Sequence, residues 1–172
     1  IMLYGEQKLA IEDYLAKNGG TYTITRLGKV IGSDPHTDKL YSGWIKAMEQ
    51  GDTIRCAIDQ TFSPIHVSDV VDGLLRSADQ KAYGLYHLCG EQGHSRLQLL
   101  QMTCNAFKNH KDVSSIIEEC SIDDFDLLEP RPKDVSMSPA KLVLATGLQI
   151  KNMEDVTKAV VNSYFSGNPA AI

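Results

Sequence analysis

Helical and strand patterns alternate along this 172-residue sequence, and the alternation limits the folds that it can adopt. The residues from Gly5 to about Asn18 are typical of a helix that ends at Gly19-Gly20, and the run TYTITRLGKVIG that follows is rich in β-branched residues, as strands are. Further along, GLYHLCG indicates a buried strand and HSRLQLLQMTCNAFKN indicates a helix. Helices that alternate with short strands predict an α/β fold with some strands parallel.

The other segments extend this pattern. Apolar positions in KLYSGWIKAMEQ predict a helix that buries one face and ends at Gly51, and Ser68 is a candidate N-cap for a third helix, DVVDGLLRSA. Two further helices are predicted near the end of the sequence, in SPAKLVLATG and NMEDVTKAVVNSYF. Short strands are predicted in TIRCAID, FSPIHV and SSIIEEC, and the acidic stretch SIDDFDLLEPRPKD is predicted to be mostly loop.

Composition excludes several classes of protein. A hydrophobic content of 42% and a charged content of 23% are ordinary for a globular chain. The net charge of -5, without a basic block, argues against a nucleic-acid partner, and no apolar run is long enough to span a membrane. The four cysteines are scattered, which predicts free thiols in a reducing compartment, the cytoplasm, and no metal site.

The first chemical feature is the pair Tyr4 and Lys8, four residues apart on the first predicted helix. Residues at this spacing lie on one face of a helix, one turn from each other. A lysine ammonium near a tyrosine hydroxyl favours the phenolate and lowers the pKa of the tyrosine, which can then exchange a proton with a carbonyl or an alcohol. The same spacing also arises by chance in many helices, so the pair needs support from the rest of the sequence.

That support comes from five stretches in a fixed order: YGEQKLAIEDYL, TITRLGKVIG, SPIHVSDVVDGL, GLYHLCGEQGHSRLQLLQ and RPKDVSMSPAKL. Their order and spacing resemble the extended short-chain dehydrogenase/reductases, which include NAD(P)-dependent sugar-nucleotide epimerases, dehydratases and reductases. SPIHVSDVV and RPKDVSMSPAKL look most like the dTDP-4-dehydrorhamnose reductase branch. The resemblance covers nearly the whole chain, and it implies the C-terminal part of a Rossmann-like parallel sheet with a small α+β substrate lobe.

The resemblance also implies roles for particular residues. Tyr4 would be the general acid/base at the sugar, Lys8 would lower its pKa and hydrogen-bond the nicotinamide ribose, and Leu27 would run past the nicotinamide. Lys29 and Arg131 are candidate ligands of the substrate diphosphate, and Gln60 and Phe62 correspond to substrate-loop positions. Lys29 departs from the residues that relatives often carry at its position, and it could equally be an exposed lysine at a strand end. Arg131 could instead form a surface salt bridge with the acidic stretch before it.

The family's tyrosine normally follows a dinucleotide-binding half that carries a glycine-rich phosphate cradle. The only comparable turn here, Gly90-x-x-Gly93, lacks that motif's spacing and is better explained as a turn and helix cap. We therefore expect residues 1–172 to be the C-terminal half of a longer enzyme that uses NAD or NADP and a nucleotide-sugar, without its N-terminal cofactor-binding half. Alone, this chain would be inactive, and it would either self-associate or bind the missing half. The alternative is a short protein that has lost the cofactor half and serves as a non-catalytic binding or regulatory subunit.

One architectural expectation can test the resemblance directly. The strands near residues 21–28 and 84–89 should lie side by side and run parallel, because right-handed crossovers pair sequential parallel strands. An antiparallel arrangement of these two strands would contradict the family assignment.

Overall fold

The chain folds into helices and short strands in the alternation that the sequence predicts. The computed structural model describes residues 3–32, 34 and 38–167. In chain order the elements are α1 (Leu3–Asn18), β1 (Thr23–Leu27), β2 (Val30–Ile31), α2 (Lys39–Gln50), β3 (Ile54–Ala57), β4 (Thr61–Phe62), β5 (Ile65–His66), α3 (Val67–Asp79), β6 (Gly84–Leu88), β7 (His94–Ser95), α4 (Arg96–Phe107), β8 (Ile117–Cys120), a 3-10 turn (Ile122–Asp124), β9 (Asp134–Val135), α5 (Ala140–Thr146) and α6 (Met153–Ser166).

The strands β1 and β6 are adjacent and parallel, with Thr23 opposite Gly84 and Leu27 opposite Leu88. The expected parallel pairing is therefore confirmed. Two more parallel pairs, β2 with β5 and β3 with β8, and a small mixed sheet in the order β7-β4-β9 complete the strands of the described residues. Within that part of the chain, β1 pairs on one edge only.

The run TYTITRLGKVIG is not one strand, and the expectation that it is continuous is wrong. It breaks at Gly28, so that β1 pairs with β6 and β2 pairs with β5. At the break, backbone packs against backbone: a Cβ on Gly28 would lie 2.2 Å from the carbonyl oxygen of Ser63. The run FSPIHV breaks in the same place, at Ser63 and Pro64 between β4 and β5. The two segments thus touch at Gly28 and Ser63, and each of them pairs with a different strand before and after this contact.

The largest hydrophobic core lies between three helices, α2, α4 and α6, and strand β3. We call this cluster the helical core. As the sequence predicts, α2 buries Trp44, Ile45 and Met48, and Gly51 ends it in the left-handed conformation, at φ 70°. The hydroxyl groups of Tyr41 and Thr157, both buried, are 2.9 Å apart and satisfy each other inside this core.

A second, smaller cluster packs α3 and α5 against β6. The N-cap of α3 is His66 rather than Ser68, because the helix begins two residues earlier than expected and His66 Nδ1 accepts a hydrogen bond from the backbone N–H of Ser68 at 3.3 Å. Asp69, also buried, accepts from the backbone N–H and the ammonium of Lys151, at 2.9 and 2.5 Å. These side chains join α3 to the segment before α6, which is a structural role.

Helix α1 differs from the other long helices because none of its residues is buried. Its contact with β1 includes a two-point ion pair, in which Arg26 Nε and Nη2 donate to the carboxylate of Glu12 at 3.0 and 2.6 Å. Arg26 therefore has a structural role, joining α1 to β1. In the part of the chain that the structure describes, no helix is long and apolar enough to cross a membrane.

Candidate functional site

A cleft of about 790 Å³ opens where β1 leads into β2, and six separate segments of the chain contribute to it. Its lining comes from α1, the β1–β2 link, the start of α2, the segment from residue 60 to β4, the start of α4, and the segment on either side of β9. We call it the cation cleft. Its lining residues are Tyr4, Leu27, Gly28, Lys29, Lys39, Leu40, Gln60, Phe62, Arg96, Arg131, Pro132, Val135 and Met137.

The cation cleft brings together most of the residues that the sequence singled out. Six of them, far apart in the chain, line it: Tyr4, Leu27, Lys29, Gln60, Phe62 and Arg131. Lys8 is the exception, because it lines the adjoining groove of about 590 Å³ between α1 and β1, which it shares with Tyr4. The roles assigned to these residues remain predictions, but their common location is a property of the fold.

Tyr4 and Lys8 are neighbours on α1, as their spacing predicts. The ammonium nitrogen of Lys8 lies 5.3 Å from the centroid of the Tyr4 ring, over its face. Both side chains are exposed, and Tyr4 forms the boundary between the cation cleft and the groove along α1. The tyrosine hydroxyl is thus open to a ligand in either space, with a positive charge beside the ring.

Positive charge dominates the cation cleft. Lys29, Lys39, Arg96 and Arg131 line it, and no aspartate or glutamate is among the described residues of its wall. None of the four forms an ion pair within the part of the chain that the structure describes. A cleft with one sign of charge concentrates ligands of the opposite sign, so this one is suited to an anion.

Lys133, two residues after Arg131, anchors this segment to the acidic residues around it. The ammonium of Lys133 bridges Asp59 and Asp123, at 2.8 Å from each carboxylate, and Lys133 O accepts from the backbone N–H of Thr61 at 2.7 Å. Hydrogen bonds from Lys133, Ser121 and Ile122 lower the pKa of Asp59. Among the described residues, Lys133 makes these ion pairs and Arg131 makes none, although Arg131 lines both the cation cleft and a depression beside Asp126 and Glu129.

Arg96, which the sequence did not single out, is the first residue of α4 and follows the N-cap Ser95. Its backbone N–H donates to the carbonyl of Gln60 at 2.9 Å, and its Nη1 donates to the side-chain oxygen of Gln60 at 3.2 Å. Its guanidinium carbon lies 5.8 Å from the centroid of the Trp44 ring. One signal was available, because a cation at the first position of a helix faces the positive end of the helix dipole and is unfavourable there.

In the glycine turn after β6, Gly90 packs against the backbone of Pro64. A Cβ on Gly90 would lie 2.1 Å from the carbonyl oxygen of Pro64, so the small residue serves the close approach of two backbones. A phosphate cradle would need the amides of such a turn to face open space at the start of a helix. The close approach at Gly90 is a packing contact, which agrees with the prediction of a turn and helix cap.

The chain matches one family model over residues 1–166, that of the RmlD substrate binding domain. No curated protein is similar enough in sequence to match it.

Solved structures share its fold. A dTDP-4-dehydrorhamnose reductase from Clostridium acetobutylicum has a TM-score of 0.80 and 20% identity, covering 94% of this chain and 55% of that one. The dTDP-4-dehydrorhamnose reductase from Bacillus anthracis, in complex with NADP, has a TM-score of 0.76 and 21% identity, covering 96% and 55%. The UDP-glucose 4-epimerase from Thermotoga maritima, with UDP-glucose, has a TM-score of 0.65 and 18% identity, covering 94% and 52%. The chain thus spans about half the length of these structures, and its Rossmann-like α/β fold is theirs.

Proposed function

Because the chain belongs to the family of RmlD substrate-binding domains, within the short-chain dehydrogenase/reductases, we propose that it forms the C-terminal, substrate-binding part of an NAD(P)-dependent reductase or epimerase of nucleotide-sugars. The observation that carries this proposal is the cation cleft, where a tyrosine beside a lysine meets four cations from distant parts of the chain. The family match and the fold of the solved relatives support the reaction class.

The charge of the cation cleft suits a nucleotide-sugar. The diphosphate of such a ligand carries two negative charges, and arginine and lysine are the side chains that bind phosphate oxygens. Lys29 and Arg131 are the candidates for this contact, and Phe62, Leu27 and Val135 supply apolar surface in the same cleft. The solved UDP-glucose 4-epimerase with UDP-glucose supports this class of substrate.

The proposed mechanism uses Tyr4 for proton transfer. Its hydroxyl would donate a proton to, or accept one from, the oxygen of the sugar carbon that is oxidised or reduced. Lys8 would stabilise negative charge on that hydroxyl through the ammonium beside the ring. The nicotinamide cofactor, when bound, supplies or takes up the hydride, which no side chain can do.

A second part of the protein would complete the site. The described residues provide no glycine-rich cradle for a dinucleotide, and β1 leaves one edge without a strand. We propose that a cofactor-binding half pairs with that edge, and that a second copy of the chain is the alternative occupant. The choice between NAD and NADP would be set by residues in the cofactor-binding half.

The central experiment replaces Tyr4 with phenylalanine in the complete enzyme. Tyr4→Phe should lower turnover by roughly 10²–10⁴-fold with little effect on cofactor affinity, because only the proton-transfer group is removed. Tyr14→Phe is a matched control, since Tyr14 lies on the same helix with the same exposure, 64%, and outside the cation cleft. Equal turnover in the Tyr4→Phe enzyme and the wild type would overturn the role of Tyr4.

A binding experiment separates this proposal from a non-catalytic subunit. The 172-residue chain should bind NAD(H) weakly, because two or three hydrogen bonds of about 1 kcal/mol do not offset about 4 kcal/mol or more of lost freedom. UDP or dTDP should bind more tightly, and Arg131→Gln should weaken that binding. Calorimetry measures both. Micromolar binding of NAD by the chain alone would contradict the proposal, and nucleotide-sugar binding by a complete protein without turnover would favour a regulatory subunit.

A further inference from the structure

Arg96 is the one cation of the cation cleft that the structure fixes in place. Two hydrogen bonds to Gln60, one from its backbone and one from Nη1, hold both ends of the residue, and Trp44 lies beside its guanidinium. Lys29 and Lys39 are exposed and make no comparable contacts among the described residues. A guanidinium held in this way loses little rotational freedom when a ligand binds, which favours affinity.

The donors of Arg96 are only partly used. Its Nε is buried without a hydrogen-bond partner, and Nη2 makes no hydrogen bond to any residue of the described ranges. A buried donor that is left unsatisfied is unfavourable, so each such group in a protein calls for an explanation. No carboxylate in the described chain balances the charge, since the acceptor that contacts Arg96 is the neutral amide of Gln60.

The surroundings of Arg96 would be unfavourable if its role were purely structural. Burial lowers the pKa of Arg96, and the titratable groups that raise it in part are two cysteines, Cys56 and Cys120. Its place at the N-terminus of α4 adds the unfavourable end of the helix dipole. An anion in the cleft would compensate both effects at once.

We propose that Arg96 binds an oxyanion group of the ligand in the cation cleft, a phosphate or a carboxylate, through Nη2, the guanidinium nitrogen that neither Gln60 nor burial takes from the cleft. This inference rests on the proposed function, which supplies the class of ligand, and it adds a binding residue and the residue that orients it. Gln60 is a positioning residue here, because its two acceptors are occupied by Arg96. Its role as a direct substrate contact stays a prediction, because Arg96 occupies the oxygens of Gln60 and not its side-chain amide nitrogen.

The test uses four probes on the 172-residue chain: inorganic pyrophosphate, UDP, UDP-glucose and UDP-glucuronate. Calorimetry measures the affinities, and the fluorescence of Trp44, the single tryptophan, reports binding beside Arg96. Arg96→Gln should weaken binding by about 10- to 100-fold, the range for hydrogen bonds between charged groups. Arg96→Lys keeps the charge without the planar fork and should lie between wild type and Arg96→Gln.

Arg55→Gln is the matched control. Arg55 also lies over an aromatic ring, 5.2 Å from the centroid of Phe125, and it is outside the cation cleft. This variant should bind every probe within about twofold of the wild type, because exposed ion pairs such as that of Arg55 with Glu118 contribute little. Circular dichroism and urea unfolding show whether each variant folds. If Arg96→Gln does not fold, the affinities of Arg96→Lys test the inference in its place.

The four probes separate the possible outcomes. A loss of affinity shared by all of them assigns Arg96 to phosphate, and a loss confined to UDP-glucuronate assigns it to a carboxylate on the sugar. Equal affinities in wild type and Arg96→Gln for every probe would overturn the inference and leave the proposed function standing. Pyrophosphate binding that depends on Arg96, without binding of any nucleotide, would refute the nucleotide-sugar proposal and support the oxyanion site. No binding of any probe to the wild type would refute both.

Discussion

Helix α1 and the helical core both contain large apolar side chains, but these side chains are exposed in α1 and buried in the core. In α1 no residue is buried, and large apolar side chains such as Leu3, Ile11 and Tyr14 stay in solvent. In α4 and α6, residues such as Leu99, Phe107 and Val160 are fully buried. The proposed catalytic pair therefore lies on the long helix with no buried residues, whereas Arg96 begins a helix of the helical core and lies beside Trp44 of that core. Proton transfer and anion binding should respond differently to the same kind of mutation.

The largest difference in the free energy of unfolding is expected between truncation of a core side chain and truncation of an α1 side chain. Phe107→Ala removes a fully buried ring that packs edge-on against Phe165, and it should lower the free energy of unfolding by about 3–5 kcal/mol. Ile11→Ala should change it by about 0.5 kcal/mol or less, because the side chain is exposed. Urea unfolding followed by Trp44 fluorescence measures both. A loss of similar size in the two variants would mean that α1 is part of the cooperative core.

The sequence predicted the fold better where the elements are long. Helices α2, α4 and α6 have apolar positions at helical spacing and clear caps, such as Ser95 and Gly51, and these local signals survive in the fold. The parallel pair β1 and β6 followed from the resemblance and from the handedness of crossovers. The break at Gly28 was missed because it depends on two segments that meet only in three dimensions.

The candidate site was predicted in part for the same reason. Tyr4, Lys29 and Arg131 could be recognised from motifs, and the fold places them in one cleft. Arg96 belongs to no motif, and its importance depends on Gln60 and Trp44, which are distant in sequence. The N-cap of α3 was misplaced because histidine is not among the usual capping residues, although His66 Nδ1 accepts the same hydrogen bond.

Two glycine substitutions compare a tightly packed backbone position with an open one. Gly90→Ala should lower the free energy of unfolding by about 1–3 kcal/mol, because its Cβ would lie 2.1 Å from the carbonyl oxygen of Pro64. Gly43→Ala, in α2, meets nothing within 4 Å and should raise that free energy by up to about 1 kcal/mol through helix propensity. Thermal melting of the two variants beside the wild type measures the difference. A tolerated Gly90→Ala would mean that the two backbones can separate there.

The cap of α3 makes stability depend on pH. Burial lowers the pKa of His66, with Asp69 raising it and Lys151 lowering it to smaller extents. The folded state therefore favours neutral histidine, so the stabilisation is present above the unfolded pKa of about 6.5 and is lost as the pH falls below it. Losing the cap should lower the free energy of unfolding by about 1 kcal/mol.

Urea unfolding at several pH values between 7 and 5 measures this effect. His66→Asn keeps a side-chain acceptor at the N-cap and cannot titrate in this range, so its stability should vary less with pH than that of the wild type. Burial also lowers the pKa of His94, which contributes a slope of the same sign and remains in the variant. Identical pH profiles for His66→Asn and the wild type would show that the cap does not depend on neutral histidine.

The smallest global effect is expected from the ion pair that joins α1 to β1. Glu12→Gln weakens the two-point contact with Arg26, which is partly exposed, so the free energy of unfolding should fall by less than about 1 kcal/mol. The amides of α1 should nevertheless exchange hydrogen faster, because local opening of a helix without buried residues depends on the few contacts that hold it.

Glu154→Gln removes the comparable pair with Lys158 in α6, where Val156 and Val160 are buried. Exchange in α6 should stay unchanged, since packing holds that helix whether or not the ion pair forms. Faster exchange in both helices, or in neither, would remove the distinction between a helix held by one ion pair and a helix held by its core.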